Sequence, residues 1–168
     1  MLNQDLRDKL AETIAICDLH HQRMMFAYRS VESYFPLKEE SFSRITQLET
    51  ALFDQFIYRF SKLQDAMGTR LFKQLLEALE EDISGLPFID ILYKLEKLQL
   101  IQSAKDWIDL RQTRNIVSHE YPFYKDVQIE ELNLLPKEAE KLSDIWLKLK
   151  EYTQTRYNLE ALSMIPKQ

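Results

Sequence analysis

Apolar residues along this chain recur at spacings of three and four, the rhythm of helices rather than of strands. Between Asn3 and Tyr34 the seam reads Leu10, Ile14, Cys17, His21, Met24, Tyr28 and Val31, alternating four and three as in a coiled coil. After Pro36 a second pattern opens near Ser41 and continues to about Glu81. Its stripe is Leu52, Phe56, Phe60, Leu63, Met67, Leu71 and Leu75, widened by Phe53 and Ile57 beyond what one neighbouring helix would cover. Gly68 falls inside this run and predicts a kink or a close crossing. The break Ser84–Pro87 places Pro87 at the start of a short helix from Phe88 to about Leu98. Ser103 and Asp106 form a capping-box-like start for the next helix, S-A-K-D, and Pro122 ends it by disfavouring the helical backbone of Tyr121. Residues Phe123 to Leu135 read as a connection. A last helix begins at Pro136 and runs to about Tyr157, with Leu142, Ile145, Trp146 and Leu149 inward. With two glycines and five prolines there is little turn material for a sheet. The pattern predicts an all-α fold, an antiparallel bundle of about five helices, in a single domain over residues 1–168.

Composition narrows the setting. Apolar residues at 45% and charged residues at 29% describe an ordered chain. Cys17 stands alone, so neither an internal disulfide framework nor a cysteine zinc cage is available. The opening MLNQDLRDKL lacks the apolar core of a signal peptide, and no stretch approaches the ~20 apolar residues of a bilayer span. A cytoplasmic protein without membrane contact is expected. A net charge of −5 argues against unspecific nucleic-acid binding, because such affinity comes mostly from phosphate neutralisation. Any RNA-directed function must rest on a few positioned cations.

One stretch stands out, LRQTRNIVSHEYP, ending at Pro122. Trp107, Leu110, Val117 and Tyr121 gather in one ~80° sector of an ideal helix, and Arg114 falls among them, flanked by Arg111 and Ser118. A guanidinium on an apolar face must be paired, snorkel, or face a wet cleft. The structural reading is a salt bridge to a carboxylate of another helix, such as Glu49 or Asp54. The functional reading takes in the tail of the stretch. His119 lies in the last turn, where free carbonyls favour its cationic form, a useful property for a general acid near neutral pH. Asn115 shares an edge with His119. Arg114 and His119 lie ~140° apart on a regular helix, so two copies related by a two-fold axis would be needed to bring both groups to one phosphate.

Arg114-Asn115-x-x-x-His119-x-Tyr121 resembles the R-x4-6-H motif of the HEPN superfamily and, more narrowly, the R-x4-H-x-Y form of HepT-like toxins. The resemblance rests on eight residues, late in a helical chain of fitting size. It implies a HEPN-like bundle and a homodimer whose motif helices meet across a cleft. It also implies metal-independent cleavage of RNA, with the 2′-hydroxyl as nucleophile and no cofactor. His119 would then serve as acid and base, Arg114 would hold the phosphate as a guanidinium fork, and Asn115 would orient His119 or touch a phosphate oxygen. No cluster of metal-ligating residues with the usual spacing occurs, which agrees with that chemistry. Tyr121 is either an aromatic packed over the motif or, by the resemblance, the acceptor of AMP from a partner nucleotidyltransferase of the MNT class, the cognate antitoxin. Adding an anion there would block the cleft and repel RNA.

Other residues carry weaker signals. His21, on the first seam, reads as a hydrogen-bonded interface residue, His20 as solvated or capping, and Cys17 as core filler. Phe123 and Tyr124 either stack bases or cover a core. Arg59, Lys62, Arg70 and Lys73 form either a basic strip beside the cleft or a solvated helix face. Glu138 and Glu140 complement the dipole of the last helix at its first turn. Two alternatives to a nuclease remain open. One is a non-enzymatic HEPN-type partner or substrate-binding subunit of a nucleotidyltransferase, which would not need Arg114 and His119. The other is a helical dimerisation module.

Overall fold

The computed structural model describes residues 2–118 and 125–159, and among these every regular element is helical. Helix α1 spans Gln4–Val31, with Asn3 as its cap accepting from the Leu6 amide, and a 3-10 turn Glu32–Tyr34 closes it. A single turn, α2 (Glu39–Phe42), precedes the second long element. That element starts later than the apolar pattern predicts. Thr46 caps α3 (Gln47–Ala66), and Glu49 reaches back to the Thr46 amide in a reciprocal capping box. The signature T-Q-L-E is present in the sequence, and it fixes the start at Gln47 rather than near Ser41.

After Ala66 the helix widens into one π turn, Met67–Leu71, before α4 (Phe72–Ala78) resumes. Gly68 sits in this turn, packed against Trp107 and Phe88. A Cβ there would stand 3.4 Å from the Trp107 ring and 3.6 Å from Phe88. The expected anomaly at Gly68 therefore takes the form of a π bulge, one of the recognised ways a helix accommodates an inserted residue. Helix α5 (Phe88–Lys97) starts after Pro87, and α6 (Ala104–Val117) starts at Ser103, whose hydroxyl accepts from the Asp106 amide at 3.3 Å.

The last helix departs most from expectation. Helix α7 runs Lys125–Tyr157 and carries Pro136 inside it instead of starting there. Proline removes one intrahelical hydrogen bond and crowds the preceding turn. Here packing overrides that cost. Ile129 and Leu132 are buried with Val31, Leu37 and Phe53, and Leu135 joins the main core. Asn133 adds a two-way clamp on the backbone of Leu37, accepting from its amide at 2.6 Å and donating to its carbonyl at 2.9 Å. Glu138 and Glu140 accordingly lie in mid-helix, not in a first turn.

Helix α1 is the central element. It packs along α3, with Tyr28 against Phe56, His20 against Arg59 and Cys17 near Arg70, so the two run antiparallel. It runs antiparallel to α7 as well, through Asp18 with Lys150 and His21 with Ser143. Helix α6 lies against both α3 and α7. The main core takes in Leu10, Cys17, Met24, Phe56, Phe60, Leu63, Leu71, Leu75, Trp107, Leu110 and Trp146, all at or near zero exposure. Among the described residues no helix is long and apolar enough to cross a membrane.

Candidate functional site

Arg114 lies in the last turn of α6, half-buried, with 22% of its side chain exposed. The free energy of leaving a guanidinium unpaired there is prohibitive, and two groups answer it. Asp65 on α3 accepts from Arg114 Nη1 at 2.6 Å. The side-chain oxygen of Asn115 accepts from Nε at 3.3 Å and from Nη2 at 3.1 Å. The partner is thus neither Glu49 nor Asp54. Glu49 is engaged with the Tyr34 hydroxyl at 2.6 Å and with the α3 cap, and Asp54 is exposed. Asn115 also takes a role the sequence did not suggest, since its oxygen steadies the arginine. Among the described residues, these bonds leave one N–H on each terminal nitrogen of Arg114 without an acceptor.

The site lies where α6 crosses the π turn. A cleft of about 170 Å³ opens there, with Gly68, Trp107 and Phe88 as its apolar floor and Asp65, Lys73, Arg111 and Arg114 around its rim. The floor is rigid. Trp107 meets Phe72 edge-on at 4.5 Å, and Phe72 stacks on Phe88 at 6.5 Å. Arg111 rests its guanidinium 5.0 Å from the Phe88 ring centre. The missing side chain of Gly68 helps open the cleft, and Thr69 of the π turn, its hydroxyl donating to the Asp65 carbonyl at 2.6 Å, also lines it. Toward the C-terminal end of α6, Ser118 and Ser61 approach to 3.5 Å.

A second group of cations lies further along α3. His20 Nδ1 is 2.8 Å from Arg59 Nη1. Arginine can only donate, so this nitrogen accepts and the imidazole is neutral, with its proton on Nε2. Burial first, and then the positive charges of Arg59, Lys62 and Arg23, lower the His20 pKa to about 4, against an opposing pull from Asp65. His20 is therefore neither solvated nor a cap. Lys62 belongs to this group, and Lys73 to the cleft rim. The basic strip of the sequence is divided between these two places. Arg70 and Lys73 are exposed.

Of the motif residues, Arg114 and Asn115 are brought together; His119 and Tyr121, with Pro122, Phe123 and Tyr124, lie outside the described residues. His21 and Cys17 behave as expected. His21 Nε2 is 2.6 Å from Ser143 Oγ, and Cys17 is fully buried. The sequence does not single out Asp65 and points to no contact for His20, and no spacing rule would find either contact, because the partners lie on other helices. Among the described residues no group of three or more His, Cys, Asp or Glu side chains is placed to hold a metal ion. Compared with known proteins, the chain matches no family model, no curated protein and no solved structure.

Proposed function

We propose that this protein is an endoribonuclease of the HepT-like toxin type, working as a homodimer with Arg114 and His119 of both subunits around one scissile phosphodiester. The observation that carries the reading is the R-N-x3-H-x-Y motif at the end of α6, with its arginine held beside a cleft and two N–H groups unclaimed among the described residues. The all-helical fold is compatible with it.

The chemistry needs only what the motif supplies. One His119 takes the proton of the 2′-hydroxyl as that oxygen attacks the adjacent phosphorus. The partner's His119 gives a proton to the departing 5′-oxygen, leaving a 2′,3′-cyclic phosphate on one fragment and a 5′-hydroxyl on the other. Arg114 neutralises charge that grows on the non-bridging oxygens, and Asn115 fixes the guanidinium plane in advance. Asp65 has a cost and a use. It cancels part of the Arg114 charge, yet it locks the rotamer so that little ordering entropy remains to be lost on binding.

Regulation completes the proposal. A partner nucleotidyltransferase of the MNT class transfers AMP from ATP to the Tyr121 hydroxyl, with pyrophosphate leaving, and the added anion repels RNA from the cleft. The Asp65 ion pair is also what a purely structural role for Arg114 requires, and that observation favours a second reading, a non-enzymatic partner of a nucleotidyltransferase. The two are separated by incubating the purified protein with RNA in EDTA. Cleavage that disappears in both Arg114→Ala and His119→Ala supports the nuclease; no cleavage, or equal cleavage by the variants, supports the binding partner. Intact mass after co-expression with a nucleotidyltransferase tests the switch, with gains of whole AMP units expected in the wild type and none in Tyr121→Phe.

A further inference from the structure

In a chain of net charge −5, cations without counter-ions need a reason. Around His20 there are three. Arg23 lies on α1, Arg59 and Lys62 lie on α3, and among the described residues no carboxylate is within ion-pairing distance of any of them. Asp65 is the one carboxylate whose field reaches His20, and it is bonded to Arg114. The remaining arrangement is self-repelling. Arg59 has its pKa lowered by burial and then by Arg23, and its Nε is buried with no hydrogen-bond partner. Folding gathers like charges here at a cost that an anionic ligand would reverse.

The patch has a second component. Tyr58 is 49% exposed, with the Arg59 guanidinium 5.2 Å and the Lys62 ammonium 5.6 Å from its ring centre. Tyr58, Lys62 and Asp65 follow spacings of four and three, so they share one face of α3, and Arg59 flanks that face on the side of α1, where it meets His20. Arg59 and Asp65 are ~9 Å apart along the helix axis, and Asp65 touches Arg114. The face thus leads from an aromatic ring flanked by cations directly to the motif arginine.

We propose that Arg23, Arg59, Lys62 and Tyr58 form a track for single-stranded RNA, with the cations on successive phosphates and the tyrosine under a base. A free phosphate would need only the cations; the exposed ring between them is what favours an oligonucleotide, because every base offers a face to stack. His20 serves as a positioning residue, its neutral Nδ1 accepting from Arg59 Nη1 and fixing the guanidinium between α1 and α3. The choice of RNA as ligand rests on the nuclease reading, but binding is measurable without cleavage.

The test uses the full-length protein and a fluorescent 2′-O-methyl oligoribonucleotide, which lacks the nucleophile and is not cut. Anisotropy titrations across a salt series compare wild type, Arg23→Glu/Lys62→Glu, Tyr58→Ala, and a control with equivalent charge reversal at Lys9 and Lys105. Arg23, Lys62, Lys9 and Lys105 are all exposed, and because Lys9 and Lys105 pair with Asp5 and Asp109, a thermal melt of each variant accompanies its titration. The track predicts at least about a tenfold weaker affinity for Arg23→Glu/Lys62→Glu, with the salt slope reduced by about 1.4, and about tenfold weakening for Tyr58→Ala. The control should retain wild-type affinity within about twofold. Equal weakening in the control, or no binding by wild type, overturns the track. Binding that depends on the track in a protein that never cuts RNA would retain this proposal and discard the nuclease; cleavage with an unaffected Arg23→Glu/Lys62→Glu variant would do the reverse.

Discussion

Two adjacent histidines on α1 face different neighbours. His21 turns to α7, where Ser143 Oγ meets its Nε2 at 2.6 Å and the Asp18–Lys150 pair closes at 2.6 Å beside it. His20 turns to α3, where it meets Arg59 among charges of one sign. The first surface is closed, since each of these polar groups has a partner of matching chemistry. The second is open, since its charges wait for something the described chain does not supply. The difference separates residues that hold the bundle together from residues kept despite what they cost it.

The largest effect that sharpens this contrast is expected at the end of the open face. His119→Ala should slow RNA cleavage by about 10²–10⁴-fold, and Arg114→Ala by about 10²–10³-fold. Asp65→Asn keeps the shape but releases the charge pair, and should reduce cleavage less than Arg114→Ala does. A next effect concerns the floor of the cleft. Gly68→Val pushes into Trp107 and Phe88, and urea denaturation should show a loss of about 1–3 kcal/mol. On the closed face, Ser143→Ala leaves the half-buried His21 nitrogen without a partner, and a loss of about 1–3 kcal/mol in stability with cleavage intact is predicted. If Ser143→Ala instead abolished cleavage, the division between the two faces would be mistaken.

Acid supplies the most diagnostic effect. Both histidines have lowered pKa values, by burial first; for His20 the charges of Arg59, Lys62 and Arg23 add to it, while Asp65 opposes. A depressed folded-state pKa means the unfolded chain takes up the proton first. The stabilisation is full above the ordinary value of 6.5 and is lost as pH falls through about 4. Melting temperature should therefore fall between pH 6.5 and 4, and less steeply in His20→Gln. A steeper fall in His20→Gln would contradict the sign of the shift.

Much of the fold was legible because helical stripes are a local signal. Phe56, Phe60, Leu63, Met67, Leu71 and Leu75 are buried as their spacing requires, and the Gly68 anomaly falls in a π turn packed against Trp107 and Phe88. Two readings failed for opposite reasons. The α3 start is written in the sequence, in the Thr46–Glu49 box, but the continuous apolar pattern masks it. The α7 start is hidden because Pro136 is a sound local boundary signal, overridden by the burial of Ile129, Leu132 and Leu135 and by the Asn133 clamp. In the site, the peculiarity of Arg114 was legible but its partner was not. Asp65 lies 49 positions away, and the His20–Arg59 contact spans 39. Only tertiary packing brings these groups together.

The measurement that bears most directly on the central claim uses a DNA oligomer carrying a single ribonucleotide, incubated with excess protein in EDTA. The account predicts one cut, 3′ to the ribonucleotide, ending in a 2′,3′-cyclic phosphate, and its loss in Arg114→Ala, in His119→Ala and in the all-deoxy oligomer. Cutting of the all-deoxy strand, or a cut that survives either substitution, would contradict it.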